Sequence, residues 1–134
     1  MELPSPELLD TAQKGFEAFC AGLATGEWER FIAMLSDDFT FSFPVGSYKG
    51  VNVGKEKAAA FFAYASQQVF SEGLIIELER RTYNATTVVF EGRSTGRMFG
   101  KPYENQVAVS FEARNGEICS YREYLAVVIP PETK

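Results

Sequence analysis

Apolar residues recur every three or four positions through Leu9, Ala12, Phe16, Phe19, Cys20 and Leu23, the stripe of an amphipathic helix. Ser5, Pro6 and Glu7 supply an N-cap, a first-turn proline and an N-terminal acid, so the spacing predicts a helix ending near Ala24. Thr25-Gly26-Glu27 restarts the chain, and Trp28, Phe31, Ile32 and Leu35 form a second stripe that stops at Ser36-Asp37-Asp38. The period then falls to two. Phe39, Phe41 and Phe43 alternate with Thr40 and Ser42, predicting a short half-buried strand ended by Pro44. A loop with Gly46 and Gly50 leads to a third helix over about 55–70, with Ala58, Phe62, Ala65 and Val69 on one side.

After Glu72-Gly73 the chain reads as strand throughout. Leu74 to Tyr83, Thr86 to Phe99, Tyr103 to Ala113 and Glu117 to Ile129 are separated by Asn84-Ala85, Gly100-Lys101 and Arg114-Asn115-Gly116. Helices first and a meander afterwards define an α+β fold, a curved antiparallel sheet wrapped over three N-terminal helices.

Turn length fixes which side chains share a face. A two-residue turn at Gly100-Lys101 sets Ser94 beside Val107 and Gly96 beside Asn105. A three-residue loop at Arg114-Asn115-Gly116, with glycine in the left-handed position, sets Tyr121 beside Val109, Glu123 beside Val107 and Leu125 beside Asn105. The inner rows expected are Gly92-Val109-Tyr121, Ser94-Val107-Glu123 and Gly96-Asn105-Leu125. Glycines leave space where a packed core would place Val or Leu, and Ser94, Asn105, Tyr121 and Glu123 bring polar groups to it, as in a ligand pocket. A plainer reading makes the glycines bulges that bend the sheet and lets Asn105 and Tyr121 hydrogen-bond locally. Arg93, Thr95, Arg97, Glu104, Gln106, Ser110, Arg122 and Tyr124 fall on the outer face.

The 134 residues, 46% of them hydrophobic and 14% aromatic, suit one domain spanning 1–134 with a single core. A net charge of -5 and no basic run argue against nucleic acid. No apolar stretch is long enough to span a membrane, and the start lacks the pattern of a signal peptide, so a soluble cytoplasmic protein is expected. Cys20 and Cys119 read as buried free thiols. The absence of histidine removes imidazole bases, histidine-dependent nucleophiles and the usual zinc and haem ligands. Asp37 and Asp38 read as helix-end solvation, and no carboxylate cluster has ligand spacing; neither a metal nor an organic cofactor is expected.

Proton transfer must then come from carboxylates, Tyr, Lys or Arg, and Glu123 stands out. It shares the apolar row of its strand with Tyr121, Leu125 and Val127. An ionised carboxylate there costs several kcal/mol unless paired, hydrogen-bonded or protonated.

The chain resembles the nuclear transport factor 2-like (NTF2-like) superfamily, specifically its SnoaL-like members. Gly26-Glu27-Trp28-Glu29-Arg30-Phe31, Leu35-Ser36-Asp37-Asp38-Phe39, Phe43-Pro44-Val45-Gly46 and Gly50 look like that family's first half. Tyr103-Glu104-Asn105, Phe111, Asn115-Gly116-Glu117-Ile118 and Arg122-Glu123-Tyr124 look most like its phenazine-biosynthesis A/B branch. The resemblance implies a cone-shaped, cystatin-like sheet and a homodimer through the outer sheet face, with Arg93, Arg97 and Arg122 crossing toward Glu104 or its symmetry mate. It implies no single reaction, because the fold hosts isomerases, cyclases, hydrolases, dehydratases and binders. The positions of the similar ketosteroid isomerases' base, tyrosine and protonated acid fall at Phe43, near Phe19 and near Val107, so that apparatus is absent. The acid that SnoaL-like cyclases often carry falls near Ala126 and is absent too. The phenazine-type glutamate survives as Glu123 without its histidine partner.

Three readings follow. Glu123 is a general acid or base on a small apolar or aromatic substrate, raised in pKa by burial, with Tyr121, Asn105 and Ser94 orienting a carbonyl or hydroxyl and Phe43, Val107, Phe19 and Leu125 forming the wall. Alternatively the same pocket binds an apolar ligand without transforming it. In the third reading Glu123 is a structural partner of an arginine such as Arg80. Tyr48, Tyr64 and Tyr103 are candidates for the pocket mouth.

Overall fold

A computed structural model describes residues 3–127. In chain order it comprises α1 (Pro6–Thr25), α2 (Glu29–Ala33), β1 (Leu35–Phe43), a 3-10 turn (Gly46–Tyr48), β2 (Gly50–Val53), α3 (Lys55–Tyr64), a π-helical turn (Ala65–Val69), β3 (Leu74–Tyr83), β4 (Thr87–Met98), β5 (Lys101–Arg114) and β6 (Glu117–Leu125). The fold is α+β. The strands form one curved sheet in the order β2-β1-β6-β5-β4-β3, with α1 packed across β3 to β6. The last strand, expected to reach Ile129, stops at Leu125: Ala126 and Val127 have left it, and 128–129 lie outside the described residues.

The first helix forms for the reasons its sequence announces, whereas the second is only Glu29–Ala33, and Leu35 to Asp38, read as its end, open β1. Ser5 Oγ accepts the Leu8 N–H at 3.1 Å, and Gly26, at φ 85°, closes α1 in the left-handed conformation that glycine tolerates. The buried stripe delivers Phe16 onto Phe90, stacked at 4.2 Å, and Phe19 among Phe31, Phe62, Phe111 and Tyr121. Each ring buried this way contributes about 1.5–3 kcal/mol.

Beyond these strand bounds the sheet departs from expectation in four places. β2, read as a loop, is a four-residue strand paired with Thr40 to Phe43; it is too short to show a period. β1 enters beside β6 and runs parallel to it, with Phe41 opposite Tyr121, so the sheet is not antiparallel throughout. The β4–β5 turn is Phe99-Gly100, both with positive φ (52° and 81°), as a two-residue type I′ turn requires. Met98 therefore pairs with Lys101, Ser94 with Asn105, Gly92 with Val107 and Phe90 with Val109.

The β5–β6 turn is likewise Asn115-Gly116, followed by a register shift between Glu112 and Ala113 that leaves Cys119 as the extra residue. Tyr121 thus faces Phe111, Glu123 faces Val109 and Leu125 faces Val107. Every inner pair is displaced by two residues from expectation, an even number, so each side chain keeps its predicted face.

The glycines of β4 also have a different purpose from making space. A Cβ on Gly92 would stand 2.4 Å from the Glu77 carbonyl oxygen, and one on Gly96 2.7 Å from that of Gly73. They admit the backbone of β3, which bulges opposite Gly92 between Leu78 and Arg80.

Candidate functional site

A cavity of about 500 Å³ opens between the inner sheet face, α3 with its π-helical turn, and the segment from Phe43 to Tyr48. Each element contributes through its periodicity. Phe19 comes from α1, Phe43 from the end of β1, Ser94 from β4, Val107 from β5, and Tyr121, Glu123 and Leu125 from alternate positions of β6. Tyr48, Tyr64 and Tyr103 also border it, with Tyr64 40% exposed at the rim and Tyr103 buried.

Glu123 is the carboxylate on this wall. Tyr121, two residues earlier on the same strand face, donates its hydroxyl to Glu123 Oε1. Among the described residues no hydrogen bond engages Oε2, and this half-buried residue lines the cavity. Burial pushes the carboxyl from its ordinary 4.5 up to about 7, with the Tyr121 hydrogen bond pulling the other way. Desolvation, and then the neighbouring Glu123 charge, hold the Tyr121 phenol well above its ordinary value. At neutral pH this wall offers a carboxyl populated in both protonation states next to a neutral phenol.

Asn105 is displaced from the cavity. Its Nδ2 donates to Tyr103 Oη at 2.8 Å and to the Val127 carbonyl at 2.8 Å, while its Oδ1 accepts the Val127 N–H at 3.1 Å. Both halves of the amide are spent on tying residue 127 to β5, so Asn105 meets a ligand only through Tyr103. The Tyr103 phenol is raised chiefly by burial. Ser94 remains on the lining, its Oγ donating to the Asn105 carbonyl at 3.5 Å.

Arg80 is not the partner of Glu123. It pairs with Glu91 at 2.6 Å on the exposed side of the sheet, because the bulge in β3 reverses the alternation that would have aimed it inward. Arg93 and Arg97 likewise pair within the chain, with Glu79 at 3.8 Å and Glu72 at 3.9 Å. Sequence reasoning missed Phe61, Val69, Phe70, Met98 and Phe99 as lining residues. Phe61 sits beside Phe62 in a helical pattern that was legible; Phe99 was hidden by the turn assignment, and Val69 and Phe70 by the π-helical turn. Among the described residues no group of three His, Cys, Asp or Glu side chains is placed to hold a metal ion, and no helix is long and apolar enough to cross a membrane.

A curved six-stranded sheet closed by helices over an aromatic cavity defines an NTF2-like pocket protein. The chain belongs to the SnoaL-like domain family, which matches residues 16–121. It is similar to an NTF2-like protein from Anabaena variabilis, 53% identical over 96% of each chain with a TM-score of 0.88. An LEH-like epoxide hydrolase of M. tuberculosis is 20% identical, over 87% of this chain and 83% of that one, with a TM-score of 0.68. A protein of ketosteroid isomerase-like fold from Catenulispora acidiphila, solved in complex with trimethylamine, is 16% identical over 90% and 85% of the chains, with a TM-score of 0.69. The last two share the fold alone. No curated protein matches the chain in sequence.

Proposed function

We propose that this protein, acting as one domain, is a cofactor-independent acid-base enzyme in which Glu123 transfers a proton to or from a small apolar or aromatic substrate. The observation that carries the reading is the placement of Glu123, its carboxyl raised to about 7, on the lining of the cavity. A group with its pKa near the working pH is the most effective general acid or base. Tyr121 keeps one carboxyl oxygen fixed, so the other points at the ligand. Phe43, Phe19, Val107 and Leu125 exclude water around it, and Ser94 and Tyr103 are the polar groups available to orient a carbonyl or hydroxyl.

Deuterium uptake at the α-carbon of 2-tetralone, a bicyclic aromatic ketone, tests this by NMR. The wild type is expected to accelerate exchange and Glu123→Gln to lose about 10²–10⁴ of that acceleration. Equal acceleration by the two proteins sinks the assignment of Glu123. The second reading, a binding module that leaves its ligand unchanged, is favoured by the apolar residues Phe43, Phe19 and Val107 on the wall; exchange no faster than in buffer, with tetralone bound, would select it.

The exposed outer sheet face around Tyr124, 56% accessible, is the surface offered for homodimerisation, with the symmetry mate close to Arg122 and Glu104. Sedimentation velocity showing only monomer at micromolar concentration would exclude that assembly. Free thiols at Cys20 and Cys119 suit a reducing compartment such as the cytoplasm; a Glu-rich chain without a phosphate footprint suits neither nucleic acid nor membrane as partner.

A further inference from the structure

The polar groups on the sheet wall of the cavity surround one ionisable carboxyl. Ser94 Oγ donates to the Asn105 carbonyl at 3.5 Å, Tyr103 Oη accepts from Asn105 Nδ2 at 2.8 Å, and Tyr121 spends its hydroxyl on Glu123 Oε1. The Tyr103 O–H and the other lining hydroxyls stay neutral hydrogen-bonding groups, whereas Glu123 Oε2 is, among the described residues, the lining acceptor that carries a charge when its carboxyl is ionised. A ligand that meets it must bring a donor.

Charge and wall chemistry narrow the donor further. Among the described residues no lysine or arginine lines the cavity, so an ionised Glu123 there has no counter-charge, and its ionisation is opposed by burial. A ligand hydroxyl would satisfy the lone pair and leave the charge uncompensated. An ammonium group satisfies both. Phe43, Tyr48, Phe61, Phe70 and Tyr103 border the same space, and aromatic rings attract a cation within about 6 Å while packing an apolar body. The chain's net charge of -5 favours the approach of a cation.

We infer that the cavity takes an apolar amine in its protonated form, with the ammonium on Glu123 Oε2 and the hydrocarbon part against the aromatic wall. The inference rests on the reading of this cavity as a ligand site and holds for the catalytic and the binding version alike. Among the described residues the other titratable groups that border the cavity are phenols: Tyr121 on the same strand and Tyr103 on β5, both raised, with Tyr48 before β2 and Tyr64 at the end of α3. Glu123 is therefore the group that sets the pH response.

Two probes of nearly equal shape separate charge from bulk: 2-(1-naphthyl)ethylamine, a cation throughout pH 6–8, and neutral 1-propylnaphthalene, each titrated by naphthyl fluorescence. The amine is expected to bind at least tenfold tighter than the hydrocarbon at pH 8. With the carboxyl near 7, its affinity should fall about tenfold between pH 8 and pH 6 as Glu123 takes up a proton, whereas the hydrocarbon's should not fall. Glu123→Gln, which keeps the side-chain shape, is expected to abolish the preference and its pH dependence together. Hydrocarbon binding as tight as the amine at pH 8 overturns the amine assignment and leaves the apolar ligand site standing. If neither probe binds, the ligand-site reading falls with it. The wild-type pH comparison decides the matter even if the variant fails to fold.

Discussion

The two ends of the interior are built from the same residue type and do opposite things. At one end Phe16, Phe31, Phe90 and Phe111 are at most 5% exposed and fill the space between α1 and the sheet, ring against ring. At the other, Phe43, Phe61, Phe70 and Tyr103 border about 500 Å³ of space. What differs is the backbone above them. α1 lies across β3 to β6 and sets Phe16 and Phe19 against the aromatic rings beneath it, whereas α3 ends at Tyr64 and gives way to a π-helical turn. Aromatic content alone therefore tells nothing about whether an interior is a core or a pocket. The placement of the covering helix decides it.

That contrast can be broken most directly by deleting a ring from each end. Phe111→Ala is expected to destabilise the fold by about 3–5 kcal/mol in urea unfolding, because the packed end cannot collapse around the loss. Phe70→Ala, next to space that already exists, should cost less than half as much; equal costs would mean that the two ends are packed alike.

Glu123→Gln comes next in size. Glu123 binds its proton more tightly folded than unfolded, so wild-type stability should fall as pH rises from about 4.5 to about 7 and then level off. The shift corresponds to a loss of roughly 3 kcal/mol. Glutamine removes the ionisation, so the variant should be more stable than wild type at pH 8 and should lack that slope. A variant less stable at pH 8 would mean that the acid is a structural partner after all.

Tyr121→Phe should have a smaller effect. Its hydroxyl favours the ionised carboxyl, so its loss is expected to raise the Glu123 pKa further and to cost about 1.5–3 kcal/mol above pH 7, with less cost near pH 5. A pH-independent loss would place the hydroxyl's contribution elsewhere. Smallest of all, Phe99→Asn should stabilise the β4–β5 turn by about 0.5 kcal/mol, since asparagine tolerates the left-handed conformation better.

The sequence made the faces of the sheet legible and the rows illegible. Alternation assigns Tyr121, Glu123 and Leu125 to one side whatever the pairing, and both hairpin errors were even numbers of residues. The rows required knowing that Phe99 accepts a positive φ, held there by the bond from its N–H to the Val69 carbonyl at 2.7 Å. That is a tertiary contact with no local signal. The bulge at Cys119 is equally silent. Glu123 could be singled out because a carboxyl in an apolar row is costly, but the true business of Asn105 could not, since its partner is the backbone of residue 127. Gly92 and Gly96 show a related limit: an absent side chain marks close approach, and the chain alone does not say whether a ligand or another strand approaches.

The parallel contact between β1 and β6 has a kinetic side. Thr40 and Ser120, 80 residues apart, face each other across it with their hydroxyls 3.4 Å apart. β6 leaves the ribosome after every other described strand, so until then β1 and β5 are two open edges and Glu123 has no cavity to border. Joining them closes the longest loop in the sheet, a step that non-local topologies make slowly. A chain halted before Glu117 would present both edges to other chains.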